Sequence, residues 1–155
     1  MKKINHGKRF EQDFVKSIPD RCDVTRLKDG GGWSNATNMR FTSKNPCDFI
    51  VYSEASGRMR KLELKSTQNK SLPFSNIKDH QLKSLCESQA KGVRACFVVN
   101  YRSVNQTYMV NASDMMEYIA TRGRKSLPVA DAEKIGVKIK QTKKITRWRY
   151  DLEWL

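Results

Sequence analysis

The stretch from Asn45 to Thr67 limits the possible folds more than any other part of this chain. It opens as Asn45-Pro46-Cys47-Asp48-Phe49-Ile50-Val51-Tyr52, a short apolar run led in by Pro, and passes through a turn containing Ser and Gly. It resumes as Arg58-Met59-Arg60-Lys61-Leu62-Glu63-Leu64-Lys65-Ser66-Thr67. Leu62 and Leu64 alternate with Lys61, Glu63 and Lys65, and a two-residue period sends successive side chains to opposite faces of a strand. Glu63 and Lys65 therefore leave one face together. If the two runs pair as a hairpin, Asp48 sits beside them, so two carboxylates and an amine can address one point.

That set suits phosphodiester hydrolysis. Carboxylate oxygens are the ligands Mg²⁺ prefers, and Mg²⁺ keeps several waters for chemistry. A bound divalent ion lowers the pKa of an attacking water and neutralises phosphate charge. An ammonium at Lys65 can orient the water or stabilise the charge that develops in the transition state. Glu-x-Lys alone is an ordinary solvated strand pattern. The acid led in by Pro, across a plausible hairpin, is what gives it chemical meaning.

At these residues the chain resembles the PD-(D/E)XK nuclease superfamily, and within it the RecU-type Holliday-junction resolvases. The likeness continues through Leu62-Glu63-Leu64-Lys65-Ser66-Thr67-Gln68-Asn69-Lys70-Ser71-Leu72-Pro73-Phe74 and Asp79-His80-Gln81-Leu82. A strand with Cys96-Phe97-Val98-Val99 follows. The resemblance spans roughly residues 7 to 112 and is strongest from 47 to 100. It implies metal binding by Asp48 and Glu63 with Gln81 assisting, a catalytic role for Lys65, Mg²⁺ as cofactor with Mn²⁺ as a substitute, and a homodimer. The chain has Cys47 where family members tend to have Thr, and it differs strongly between the first strand and Asp48.

Composition agrees with a polyanionic partner. Thirty Lys and Arg against sixteen Asp and Glu give a net charge of +14 on 155 residues, a field that favours nucleic acid through release of condensed counterions. No apolar run approaches the length of a membrane span, and no basic helix carries an aromatic face for a lipid surface. The leading residues are too polar for a signal peptide. Cys22, Cys47, Cys86 and Cys96 show no C-x-x-C pairing, which removes zinc-ribbon and thioredoxin-like readings and suits a reducing cytoplasm; the family resemblance implies that of a bacterium or a phage-infected cell. Two histidines, His6 and His80, are too few for a nuclease built on histidines.

The remaining chain reads as alternating elements. Asn5 to Ile18 is a helix capped by Asn5, with Phe10, Phe14 and Ile18 on its inner stripe. Glu11 lies near that stripe and reads as a surface residue, although the family resemblance allows a first-helix Glu to approach the metal. Cys22 to Leu27 is a strand. The glycine-rich stretch that follows reads as a loop, and the resemblance to the resolvases implies a protruding stalk within residues 28–45, bringing Lys28, Trp33, Arg40 and Lys44 to DNA beside Arg26. Ser75 or Asn76 caps a helix running to Ala90, with Ile77, Leu82, Leu85 and Cys86 inward. Val93 to Tyr101 has the near-continuous apolar character of a central strand, and Asn105-Gln106 turns it into an antiparallel neighbour. Ser113 caps a helix through Ala120 with Met115, Met116 and Ile119 inward, followed by the basic loop of Arg122, Arg124 and Lys125. With Lys70, these are candidate phosphate contacts. Val137 to Lys140 alternates as a strand, and Trp148, Tyr150, Leu152 and Trp154 share parity in a terminal strand that closes the core or a dimer interface.

The expectation is one nuclease domain over residues 1–155, α/β in class, with a mixed central sheet flanked by helices in the manner of restriction endonucleases. Its expected function is a metal-dependent endonuclease that resolves four-way DNA junctions by paired nicks. Two alternatives stay open: the same nuclease core acting on linear or flapped DNA, and a basic module that binds branched DNA without cutting it.

Overall fold

The computed structural model describes residues 4–27, 31–33, 40–42 and 45–155, with the side chains of 31–33 and 40–42 outside that description. In chain order the elements are α1 (His6–Val15), β1 (Cys22–Arg26), β2 (Gly31–Trp33), β3 (Arg40–Thr42), β4 (Phe49–Ser53), β5 (Arg58–Thr67), β6 (Ser71–Pro73), α2 (Asp79–Ala90), β7 (Arg94–Tyr101), β8 (Gln106–Asn111), α3 (Ala112–Thr121), β9 (Ser126–Pro128), α4 (Val129–Ile135), β10 (Val137–Ile139), β11 (Gln141–Lys143) and β12 (Trp148–Tyr150). Six strands form the central sheet in the order β1-β4-β5-β7-β8-β10. Every neighbouring pair is antiparallel except β5 and β7, which run parallel. A parallel pair needs a crossover, and α2 supplies it. This is the mixed α/β sheet expected from the alternation of strands and helices.

Alternation along β5 and β7 builds two cores, one on each sheet face. Leu62, Leu64, Cys96 and Val98 point to the face covered by Phe10, Phe14 and Ile18 and closed by Tyr150, Leu152 and Leu155. Ala95, Phe97, Val99 and Tyr101 point to the other face, against Leu85, Met115, Tyr118 and Ala132. Each fully buried Phe or Leu contributes about 1.5–3 kcal/mol of transfer free energy. Such burial on both faces explains why β7 is apolar at nearly every position. Within the first core, Phe10 and Phe14 meet Tyr150 edge-on or tilted, with ring centroids 5.6 and 5.7 Å away.

Several local expectations need correction. The first helix ends at Val15 rather than Ile18, although Asn5 caps it through Oδ1 as expected, accepting from the Lys8 amide at 3.0 Å. Ser75 and Asn76 do not cap α2. They lie in a 3₁₀ turn over Phe74–Asn76, and α2 begins after Lys78. The third helix is capped at Asn111, not Ser113, and Met116 faces solvent. The last strand stops at Tyr150, and Trp154 is exposed, with the Arg60 guanidinium 5.9 Å from its ring. α4 and the small β6–β9 ribbon were not anticipated. Asn105 turns β7 into β8 with φ 52°, a left-handed conformation that Asn tolerates better than most residues. Among the described residues, no helix is long and apolar enough to cross a membrane.

Candidate active site

The hairpin of β4 and β5 places the acids. Phe49 pairs with Leu62, and the ladder continues one step further through the Asp48 amide, which donates to the Leu62 carbonyl at 3.1 Å. The Asp48 carbonyl accepts from the Leu27 amide at 2.9 Å, so the backbone of Asp48 is held between the end of β1 and the middle of β5. Leu64 lies beyond the last β4–β5 residue pair, Phe49 with Leu62. The Leu64 amide donates instead to Asp48 Oδ2 at 2.7 Å, which meets the demand of a ladder N–H and fixes the carboxylate.

Glu63 and Lys65 leave β5 on the α2 face, as alternation predicts. Glu63 is 2% exposed, and its Oε1 lies 2.7 Å from Lys65 Nζ. Lys65 Nζ also donates to Gln81 Oε1 at 3.2 Å, reaching the first turn of α2. Glu63 Oε2 is buried with no hydrogen-bond partner among the described residues. Burial pushes the Glu63 carboxyl up to about 7, and the nearby Asp48 charge pushes the same way; Lys65 and the Gln81 amide pull against them.

These groups line one cleft of about 440 Å³, shared with Glu11, Lys78 and Cys47. Glu11 therefore does not sit on open surface. It reaches the cleft wall from α1, tied to Arg26 by an ion pair of 2.6 Å. Burial raises its pKa first, and the Asp48 charge second. Cys47, standing where the family tends to have Thr, donates its thiol to the Phe49 carbonyl at 3.4 Å. Burial pushes that thiol up to about 11, so it stays protonated at neutral pH and is a poor metal ligand. Lys78, just before the first residue of α2, was missed, and Glu11 was read as a surface residue, because the solvated alternative is far commoner at both positions. For Glu11, the stride of four from Phe10 to Phe14 was the only local hint.

Of the candidate DNA contacts, Lys70, Arg122, Arg124 and Lys125 are exposed and do not line the cleft. The Phe74 amide donates to the Lys125 carbonyl, and the Val129 amide to the Lys70 carbonyl, so the two basic sites flank opposite ends of the β6–β9 ribbon. Lys125 lies at the end leading to α2. Lys28 and Lys44 fall outside the described residues. Trp33 and Arg40 pair with each other in the β2–β3 ribbon, where only their backbone is described.

The donor set is compatible with a hard divalent ion. Asp48 and Glu63 face one cleft, Glu63 buried with an orphaned oxygen and its ionisation made costlier by the Asp48 charge. No three His, Cys, Asp or Glu side chains converge as a cation cage among the described residues. Waters would therefore complete the shell, as Mg²⁺ prefers.

Comparison with known proteins fits this architecture. A 1.6 Å resolution structure of Hjc, a Holliday junction resolvase from the archaeal hyperthermophile Archaeoglobus fulgidus, superposes with a TM-score of 0.54 at 16% identity, covering 85% of this chain and 95% of that one. At that identity the likeness is one of fold. The SPbeta prophage-derived protein YotM of Bacillus subtilis (strain 168) is 32% identical over 174 aligned residues, 97% of this chain and 85% of its own. The recombination protein U pattern matches residues 15–148, a span that holds Asp48, Glu63, Lys65 and Gln81. The chain belongs to the recombination protein U (RecU) family, the family of Holliday-junction-resolving endonucleases.

Proposed function

We propose that this protein resolves four-way junctions by paired nicks, using Asp48, Glu63, Lys65 and Gln81 as its cutting site. The observation that carries the reading is Glu63 Oε2, buried with no hydrogen-bond partner among the described residues, in a cleft that Asp48 shares and Lys65 guards. Asp48 and Glu63 would hold Mg²⁺, or Mn²⁺ in its place, with Gln81 assisting. When bound, that ion supplies charge neutralisation at the scissile phosphate and a more acidic water.

The chain's own groups do the remaining work. Lys65 presents an ammonium beside the reacting phosphate, either orienting the attacking water or stabilising the added negative charge. Gln81 keeps that ammonium aimed by accepting one of its hydrogens. The Leu64 amide fixes Asp48, so one acid is set by the main chain and needs no rearrangement. Junction resolution needs two symmetric cuts, which a two-fold homodimer provides. Residues 28–45 would form the stalk of a single nuclease domain, the β2–β3 ribbon within it. Lys28, Trp33, Arg40 and Lys44 would meet DNA there, with Lys70, Arg122, Arg124 and Lys125 contacting phosphates outside the cleft. The setting would be the cytoplasm of a bacterium or a phage-infected cell.

The test uses a labelled four-way junction, a matched duplex and a flap, each with and without Mg²⁺. Paired symmetric nicks confined to the junction support the proposal. Equal cutting of the duplex or flap would point to a repair nuclease of broader substrate range. Glu63→Gln should abolish cutting and leave junction affinity in EDTA within about threefold of wild type, because binding rests mainly on phosphate contacts. Salt-sensitive junction binding without cutting at any Mg²⁺ or Mn²⁺ concentration would leave only a binding module.

A further inference from the structure

A second cleft, of about 420 Å³, opens on the other face of the sheet. The two clefts share one end of β5: Lys65 points into the first, and Ser66 Oγ donates to Asn100 Oδ1 in the floor of the second. That floor is polar and internally bonded. Asn100 donates to Thr107, and Thr107 to Gln141 Oε1. One wall is the 3₁₀ turn carrying Arg102, whose Nε is buried without a hydrogen-bond partner among the described residues. The opposite wall is the β11–β12 hairpin, whose cleft-facing side presents Lys143 and Trp148.

The hairpin tip carries Ile145, 97% exposed. The turn that carries it is anchored. The Lys144 amide donates to the Arg147 carbonyl at 2.8 Å, closing the turn. Arg147 pairs with buried Asp13 at 2.6 Å, and the Arg9 guanidinium donates to the Thr146 carbonyl. A single exposed apolar side chain is ordinary on a protein surface, but this one stands at the tip of an anchored, strongly basic ribbon. Its surroundings say what would cover it. Between Glu133 and Asp151 the chain has no acid, while Lys138, Lys140, Lys143, Lys144, Arg147 and Arg149 stand along it. A second copy docking here would bring like charges together, whereas a nucleic-acid backbone would neutralise them.

We infer that the β11–β12 hairpin and the cleft beside it form a second DNA-contact surface, with Lys143 and Arg102 on backbone phosphates and Ile145 as an apolar wedge against bases opened at the branch point. Apolar side chains used in this way unstack base steps and are flanked by cations on the adjacent phosphates. The inference rests on the proposed junction-cutting reading, since it supplies a further arm contact for the same substrate. It uses a hairpin far along the chain from residues 28–45.

The test is made in EDTA with the full-length protein, so that affinity is read without cutting. The substrate is a four-way junction carrying 2-aminopurine at the branch, compared with a linear duplex of the same length. Ile145→Ser should lower junction affinity about fivefold to tenfold, erase the fluorescence rise seen with wild type, and leave duplex affinity unchanged. Ile145→Met should restore both signals. Lys143→Ala with Lys144→Ala should weaken both substrates and make the slope of log affinity against log salt shallower by about 1 for each lost phosphate contact. Wild-type affinity, fluorescence and slope in all these variants would overturn the second surface while Mg²⁺-dependent cutting by wild type still stood. Wild type that never cuts would instead overturn the catalytic reading. A shift of Ile145→Ser from dimer to monomer in sedimentation would assign the tip to a second copy and likewise overturn the inference.

Discussion

Lys65 Nζ stands 2.7 Å from Glu63 Oε1, two residues away on the same face of β5, and it also donates to Gln81 Oε1. The pair is nearly out of water, where each charge depends on the other. In that position the ammonium both neutralises Glu63 and competes with any cation for it. Lys65→Met should therefore separate two roles. Cutting should fall about 10²- to 10³-fold, the usual loss when one donor to a developing oxyanion is removed. Mn²⁺ binding, followed by electron paramagnetic resonance, should be retained or tighten. Loss of Mn²⁺ binding in a folded Lys65→Met protein would mean that Lys65 organises the acids and does not act on the phosphate.

Glu63 also predicts a pH dependence of the metal-free protein. Its folded-state pKa, about 7, is above the ordinary 4.5, so the folded state binds this proton more tightly than the unfolded chain. The group contributes fully below about pH 4.5, and that contribution is lost as pH rises to about 7, at up to about 3 kcal/mol. In EDTA, wild type should lose stability relative to Glu63→Gln across this window. Mg²⁺ should raise the melting temperature more at pH 7.5 than at pH 5. Parallel melting curves for the two proteins across that range would contradict the burial assigned to Glu63.

Glu11 reaches the same cleft from α1 and lies outside the span matched by the family pattern. Its carboxyl feels the Asp48 charge, so it belongs to the electrostatics of the site even if it touches no ion. Glu11→Gln should raise the Mg²⁺ concentration for half-maximal cutting by about tenfold, in the range of outer-shell effects on metal affinity, and leave the rate at saturating Mg²⁺ largely intact. An unchanged Mg²⁺ titration would return Glu11 to the role of a partner for Arg26 alone.

How much of this was legible beforehand follows from which contacts are local. The alternation of Leu62, Glu63, Leu64 and Lys65 fixes a shared face through covalent geometry, and the structure keeps it. The apolar run at Phe97, Val98 and Val99 likewise marks a strand buried on both faces. Gln81 could not be told from a solvated helix glutamine by spacing, and only its resemblance to the resolvase pattern singled it out. Glu11, Lys78 and the 3₁₀ turn before α2 depend on how separate elements meet, which no local period encodes. Met116 failed for a related reason. Met115 and Met116 are adjacent, and a helix turns its neighbours about 100° apart, so the register that buries Met115 leaves Met116 in solvent.

Asp13 is the residue that the sequence hid most completely, and it carries the last prediction. An acid one position before Phe14 reads as solvated, yet Asp13 is 3% exposed. It pairs with Arg147 Nε at 2.6 Å and accepts from the Trp148 amide at 3.1 Å, while Ser17, one turn on, accepts from the Tyr150 amide at 3.0 Å. These bonds pin β12 across α1 and bring Tyr150 onto Phe10 and Phe14. Asp13→Asn keeps the shape and removes the charge. It should destabilise the protein by about 1–3 kcal/mol, the range of charge-assisted hydrogen bonds, since Arg147 is partly exposed and can be solvated once unpaired. Urea unfolding checks it, with Arg147→Ala and the double variant completing a cycle; the two losses should be less than additive. Because Asp13 does not line the cutting cleft, junction cleavage well below the melting temperature should keep its wild-type Mg²⁺ dependence. Full additivity in the cycle would show that the two residues stabilise the tail independently.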